Sequence, residues 1–314
     1  MKEKLVVIVG PTAVGKTALS IDLARTFNGE VISGDSMQVY KGMDIGTAKV
    51  TKEEQDGIVH HLIDIKDPDE SFSVAEFRER CQPIIADIIK RGKLPILVGG
   101  TGLYVNAVTY GFEFAESPQD AAYRLTLEQQ AKDGGGYALH DQLQKIDPVA
   151  ASNIHPNNVR RVIRALEVYR VTGELFSNQQ TEEKQEPLYN LIMIGLTMDR
   201  ELLYERINKR VDLMVKHGLV DEVKQLHDQG LRDCQSIQAI GYKELYTYLE
   251  GRCSKDEAIE QLKQNSRRYA KRQLTWFKNK ATATWYEVDP NQPTEHFLVI
   301  KQFIAGKWKL SSNE

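Results

Sequence analysis

The segment Gly10-Pro-Thr-Ala-Val-Gly-Lys-Thr17 constrains this chain more than any other. Five apolar residues, Leu5 to Val9, run directly into it. An Ala/Leu-rich stretch from Gly15 to Phe27 follows, with Leu19, Leu23 and Phe27 at i, i+4 and i+8. A continuous apolar run ended by glycine reads as a strand buried on both faces, and the period behind it as a helix. Strand, glycine-rich turn and helix opening on Lys-Thr together make a phosphate loop. Glycines let backbone N–H groups converge on an anion, and the helix N-terminus adds partial positive charge. Lys16 supplies a full charge, and Thr17 is a hydroxyl of the kind that ligates Mg2+. Gly10, Pro11, Thr12, Ala13, Val14, Gly15, Lys16 and Thr17 are therefore the candidate diphosphate- or nucleotide-binding residues. The alternative is a glycine-rich turn with a solvated lysine.

Further short apolar runs, Glu30 to Ser33, Leu94 to Val98, Ile192 to Leu196 and Thr284 to Val288, alternate with helical patterns such as Val74 to Arg91. That alternation predicts an α/β fold, a P-loop nucleoside-triphosphatase-like core built on a largely parallel sheet. Between about Ala115 and Pro187 the strand patterns vanish. Helical periodicity takes over around Tyr123 to Lys132, Tyr137 to Ile146 and Asn157 to Val171, punctuated by Gly134-Gly-Gly136 and His155-Pro156. We read residues 115–187 as a helical insertion domain, and 1–114 with 188–314 as the core. Helices are expected over Arg200 to His217, Val220 to Gln229, Lys243 to Leu249 and Lys255 to Lys278, and after the last strand a tail whose final few residues fray.

Composition removes several function classes. Lys plus Arg number 41 against 44 Asp plus Glu, so the chain is no uniformly basic binder, although a local basic patch survives that average. Cys81, Cys234 and Cys253 lie far apart with no C-x-x-C pair, against zinc ribbons and disulfide frameworks. No run reaches the length of a membrane span and no secretory leader pattern is present, so a cytoplasmic protein is expected, with no membrane and no obligate protein partner.

Nucleotide hydrolases usually add a Mg2+-holding Asp at the end of a second buried strand. Here the best later strand ends in Gly99-Gly100-Thr101, and His61-Leu-Ile-Asp64 is too brief to serve. The acid that does stand in the right place is Asp35, directly after the second strand. Ligands bind beyond the carboxyl ends of parallel strands, so Asp35 should face the phosphate loop as a metal ligand or general base. A turn or N-cap aspartate is the plain alternative.

The longer string Asp35-Ser-Met-Gln-Val-Tyr-Lys-Gly-Met-Asp-Ile-Gly-Thr-Ala-Lys49 closely resembles the signature of the tRNA dimethylallyltransferase (tRNA isopentenyltransferase) family, bacterial type. Five more segments are similar to that family, in its order: the phosphate loop, His60-His-Leu-Ile-Asp64, Leu97-Val-Gly-Gly-Thr-Gly-Leu-Tyr104, Ile154 to Val168, and Ala270-Lys-Arg-Gln-Leu-Thr-Trp276. The resemblance covers nearly the whole chain, and no C-terminal Cys/His zinc module of the eukaryotic kind is present.

The resemblance implies transfer of the dimethylallyl group from dimethylallyl diphosphate to N6 of adenosine 37 in the tRNA anticodon stem-loop. The phosphate loop would hold the donor's diphosphate with Mg2+ on Thr17, which accounts for the missing hydrolase aspartate. Asp35 would be the general base, Thr101 would stand beside the leaving group, and Lys16 would stabilise its charge. Arg210 falls where the family has a diphosphate-reaching arginine, a surface helix arginine being the alternative. Ser36, Met37 and Gln38 would meet the tRNA together with Asp35 and Thr101, and Arg124 matches a tRNA-contacting arginine.

Two basic stretches supply candidate RNA surfaces. Arg160, Arg161 and Arg164 fall largely on one helical face. From Gln261 to Lys280 there are seven basic residues and no acid, among them Arg267, Arg268, Lys271 and Arg272, with Tyr269, Trp276 and Phe277 interleaved as stacking platforms. A solvated amphipathic helix with core aromatics is the alternative. Three other functions compete: a P-loop small-molecule kinase, a prenyltransferase acting on free adenine nucleotides, and a non-catalytic ATP-gated RNA binder.

Overall fold

A computed structural model describes residues 2–111, 120–179, 186–289 and 293–309. Its strands are β1 (Lys4–Val9), β2 (Gly29–Ser33), β3 (His60–His61), β4 (Leu94–Gly99), β5 (Asn190–Thr197) and β6 (Thr284–Glu287). They form one sheet in the order β3-β2-β4-β1-β5-β6, and every pairing is parallel. The expected α/β core with a parallel sheet is what the chain adopts. The first helices are α1 (Lys16–Thr26), α2 (Lys52–Gln55), α3 (Val74–Lys90) and α4 (Gly102–Tyr110). The next are α5 (Ala121–Ile146), α6 (Pro148–Asn153) and α7 (Val159–Thr172). The last are α8 (Arg200–Lys216), α9 (Leu219–Asp228), α10 (Tyr242–Leu249), α11 (Lys255–Lys280) and α12 (Pro293–Trp308).

β1 shows why its sequence is apolar without alternation. Leu5, Val7 and Val9 enter one buried cluster with α3, α4, α9 and α10, while Val6 and Ile8 enter another with α1, α8 and α12. Helices thus cover both faces, and a two-sided strand has no polar side to show.

The chain divides into two compact units, Met1–Phe112 with Pro187–Glu314, and Glu113–Glu186. The second has its own core, with Leu127, Leu139, Leu143, Val162 and Leu166 buried between α5 and α7. Gly135, at φ 73°, interrupts α5 where the triple glycine separated two helical patterns. The expected boundary at 114/115 lies outside the described residues.

Two expectations need correction. The stretch after β6, expected as a tail without an element of its own, forms α12, which packs Ile300, Ile304 and Trp308, at i, i+4 and i+8, into the core beside α1. Its last expected fraying residues, 310–314, lie outside the described residues. The brief run at His61 does begin in a strand, the two-residue edge strand β3, but Asp64 at its end accepts Lys49 Nζ at 2.5 Å. Among the described residues no helix is long and apolar enough to cross a membrane.

Candidate active site

The carboxyl ends of β1, β2 and β4 open into a cavity of about 760 Å3, and a second of about 310 Å3 adjoins it. Thr12, Ala13, Asp35, Thr47, Ala48, Arg210 and Tyr269 line both, so these seven residues form the wall that the two spaces share.

The phosphate loop takes the expected shape. Gly10 has φ 147°, and a Cβ there would lie 2.6 Å from the Leu196 carbonyl oxygen, so only glycine lets the loop leave β1 against β5. Ala13 is left-handed at φ 65°, a conformation that turns successive N–H groups inward. Lys16 Nζ donates to the carbonyls of Gly10 at 3.0 Å and Pro11 at 2.7 Å, folded back across the nest. Burial, and then the neighbouring Arg210, lower the Lys16 ammonium to about 8, with Asp35 acting in the opposite direction.

Thr17 is exposed in the larger cavity at the start of α1. Among the described residues no group of three or more His, Cys, Asp or Glu side chains could cage a metal. Mg2+ does not need a cage, because it keeps several waters and uses one or two protein oxygens alongside phosphate oxygens. The Thr17 hydroxyl fits that role.

Asp35 follows β2, as expected. Its Oδ1 accepts the backbone N–H of Met37 at 2.8 Å and of Gln38 at 3.3 Å, so the turn role and the cleft-facing role coexist in one side chain. Ser36 and Met37 line the smaller cavity and Gln38 the larger. Gln38 also ties the loop internally, accepting from Ser33 Oγ at 3.0 Å and donating to the Thr47 carbonyl at 3.3 Å.

Arg210 is no surface arginine. It lies on the shared wall, and burial lowers its guanidinium below the usual range while Asp35 opposes that shift. Thr101 directly follows the cavity-lining Gly100, with its Oγ1 buried and unpartnered among the described residues. Tyr269 stands beside Thr101 and Gln273. Burial, then the negative Asp35, push its phenol up to about 12, so it stays protonated at any working pH.

Three residues of this region escaped the sequence reading. Arg206 lines the larger cavity and donates through Nε to the Ala13 carbonyl at 3.1 Å, and Lys209 joins it there. Their signal was available, because Arg206, Lys209 and Arg210 share α8 at i, i+3 and i+4. Gln273 reaches the phosphate loop itself; it lies inside the family-like segment Ala270 to Trp276, but no role was read for it there.

The basic stretches divide once packed. On α11, Arg268, Lys271 and Arg272 are exposed, whereas Arg267 donates to Asn208 Oδ1 at 2.6 Å and Lys263 pairs with Asp212 at 2.8 Å. The interleaved aromatics are not stacking platforms on the surface. Phe277 is fully buried, Trp276 lies over Gly102, where a Cβ would meet its ring at 2.1 Å, and Tyr269 faces the cavities. A 3.6-residue turn puts residues eight apart on one face, so Tyr269 and Phe277 follow the helix's buried side. In the second unit Arg160 and Arg161 are exposed. Arg124 and Arg164 instead close on the buried Glu167 at 2.7 and 2.8 Å.

The family model described as IPP transferase matches residues 38–280. A tRNA dimethylallyltransferase of Halalkalibacterium halodurans is 61% identical over 308 residues, covering 98% of both chains. The crystal structure of the full-length tRNA isopentenylpyrophosphate transferase from Bacillus halodurans superposes with a TM-score of 0.74 at 60% identity, covering 98% of this chain and 97% of that one. A eukaryotic dimethylallyltransferase, captured in crystals acting on tRNA, gives a TM-score of 0.81 at 34% identity over 97% of this chain and 80% of its own.

Proposed function

The chain belongs to the IPP transferase family, and we propose on that premise that it transfers the dimethylallyl group of dimethylallyl diphosphate to N6 of adenosine 37 in the tRNA anticodon stem-loop. The observation that carries this reading is the shared wall. A cationic nest for a diphosphate and a carboxylate placed for proton removal meet at Asp35 and Arg210, between two adjoining cavities.

The donor's diphosphate sits on the N–H groups of the loop and the start of α1, with Lys16, Arg206 and Arg210 around it. Thr17 would hold Mg2+, which when bound neutralises charge on the diphosphate oxygens. As the C1–O bond of the donor breaks, its electron pair leaves with the diphosphate, where Lys16 and Arg210 stabilise it. The N6 lone pair forms the new bond to C1, and Asp35 accepts the N6 proton. Water must be kept from the allylic carbon while the bond to the diphosphate breaks. Thr101 and Ser36 to Gln38 border the acceptor.

An adenine held in the anticodon loop has to turn out of its stack to enter such a cleft. The exposed Arg268, Lys271 and Arg272 of α11, with Arg160 and Arg161 of the second unit, are cations available to hold RNA phosphates. Arg124 and Arg164 contribute charge from fixed positions on Glu167. The reaction runs where tRNA is, in the cytoplasm.

The test is incubation with labelled dimethylallyl diphosphate and unmodified tRNA, followed by nucleoside analysis. Label in N6-dimethylallyladenosine at the position next to the anticodon is expected. Label on free AMP or ATP but not on tRNA, or phosphate transfer from ATP without prenyl transfer, would replace this reading.

A further inference from the structure

Gln273 lies in the interior of α11, 6% exposed, and bridges two loops. Its Oε1 accepts the backbone N–H of Thr12 at 2.9 Å, and its Nε2 donates to the Gly100 carbonyl at 3.1 Å. Thr12 belongs to the phosphate loop that leaves β1, and Gly100 to the turn that leaves β4 toward Thr101. Those strands pair only as far as Val9 with Gly99. Beyond that register no ladder bond holds the two loops at a set spacing, and the Gln273 carboxamide spans the opening.

Two further observations support the bridge. A Cβ on Gly100 would lie 1.9 Å from Gln273 Nε2, so glycine at this position is what admits the amide. A Cβ on Gly99 would lie 2.4 Å from the Gly34 carbonyl oxygen, and Gly34 N donates to the Val98 carbonyl at 2.7 Å. The turn that Gln273 holds is therefore packed against the residue preceding Asp35. Phosphate loop, Gln273, the Gly99-Gly100 turn and Asp35 form one connected series.

We propose that Gln273 is a positioning residue, whose carboxamide sets the distance between the diphosphate nest and the side of the cleft that carries Asp35 and Thr101. The inference rests on the prenyl-transfer reading above. Transfer between two bound reactants depends on reacting atoms held about 3–3.5 Å apart, and an error of about 1 Å costs on the order of a hundredfold. Binding of each reactant by itself is far less sensitive to that spacing. Loss of the bridge should thus appear in kcat rather than in KM for the donor.

The experiment uses the full chain with dimethylallyl diphosphate and tRNA, and compares wild type, Gln273→Leu and Gln273→Glu. Leucine has similar bulk and makes neither bond; we expect kcat to fall about ten- to a hundredfold with donor KM within about threefold, in protein whose thermal melt stays cooperative. Ionised glutamate keeps the Thr12 bond but turns a second acceptor toward the Gly100 carbonyl. A protonated carboxyl can donate there again, and burial favours that form. The ratio of Gln273→Glu to wild-type kcat should therefore rise as pH falls from 8 to 6, a readout available even if the leucine variant fails to fold. A folded Gln273→Leu protein with wild-type kcat overturns the inference, as does a pH-independent ratio for Gln273→Glu. If the wild type moves no prenyl group to tRNA, the functional reading falls and takes the inference with it; normal transfer by both wild type and Gln273→Leu removes the inference alone.

Discussion

Asp35 accepts the backbone N–H of Met37 at 2.8 Å through Oδ1, while its Oδ2 has no partner among the described residues. One oxygen shapes the turn after β2, and the other is left for chemistry. The two roles can be separated by substitution.

Asparagine retains an oxygen for the Met37 and Gln38 N–H groups and removes the base. Asp35→Asn should keep the wild-type melting temperature within a degree or two and bind donor and tRNA nearly normally. Its single-turnover rate should drop by about a hundredfold or more, the usual worth of a general base. Alanine loses the turn bonds as well, so Asp35→Ala should lose stability by roughly 1 kcal/mol in addition. A near-normal single-turnover rate in Asp35→Asn would remove Asp35 from proton transfer.

Lys16 predicts a pH dependence of donor binding. Its ammonium is lowered to about 8 in the ligand-free protein, by burial first and Arg210 second. Below pH 8 the charge needed by the diphosphate is already present. Above it the free protein sheds that proton and binding must take it up again, so donor affinity should weaken by up to about tenfold per pH unit. Titration calorimetry above pH 8, in buffers of different ionisation enthalpy, should record proton uptake. Lys16→Met should bind the donor more weakly at pH 7 and lose that uptake. A wild-type affinity that is flat between pH 7.5 and 9.5 would contradict this account.

Glu167 is fully buried, with Arg124 and Arg164 on one of its oxygens. Burial pushes its carboxyl up, but the two arginines outweigh it and hold the group below its usual 4.5. A depressed carboxylate stabilises the fold above its unfolded pKa, and that contribution is lost as pH falls through the lower folded value. Glu167→Ala should cost about 1–3 kcal/mol at pH 7, moderated because both arginines are partly exposed and can turn to water. The gap in melting temperature between variant and wild type should close as pH drops from 5 toward 3. Equal melting temperatures at pH 7 would show that the cluster contributes nothing to stability.

The sheet was legible because β1, β2, β4 and β5 are short apolar runs ended by glycine or polar residues, a pattern that is local. Asp35 was legible for the same reason, since a strand end fixes where the next side chain points. Gln273 was not, because its function depends on a contact between residues 261 positions apart. α12 could have been found from Ile300, Ile304 and Trp308, yet a short segment after the last strand invites the reading of a tail. The aromatics of α11 show the opposite limit. Composition placed them among the cations, and only packing reveals that Phe277 faces the core while Arg268, Lys271 and Arg272 face water.

That division refines what α11 should do toward RNA. Each phosphate contact releases counterions, so the slope of log affinity against log salt counts the lysines and arginines that touch RNA. Arg268, Lys271 and Arg272 are exposed, and changing all three to Gln should weaken tRNA binding and make that slope shallower by about one unit per lost contact. Arg272 also borders the smaller cavity with its guanidinium over the Tyr269 ring, so its single variant should affect kcat as well as affinity. Arg267 is different, because its bond to Asn208 ties α11 to α8. Arg267→Gln should lower the melting temperature and leave the salt slope near wild type. Donor affinity, set by the phosphate loop, should stay unchanged in the triple variant. A stable triple variant whose tRNA affinity and salt slope both match wild type would show that RNA lies elsewhere, and a free adenine nucleotide would then become the better acceptor.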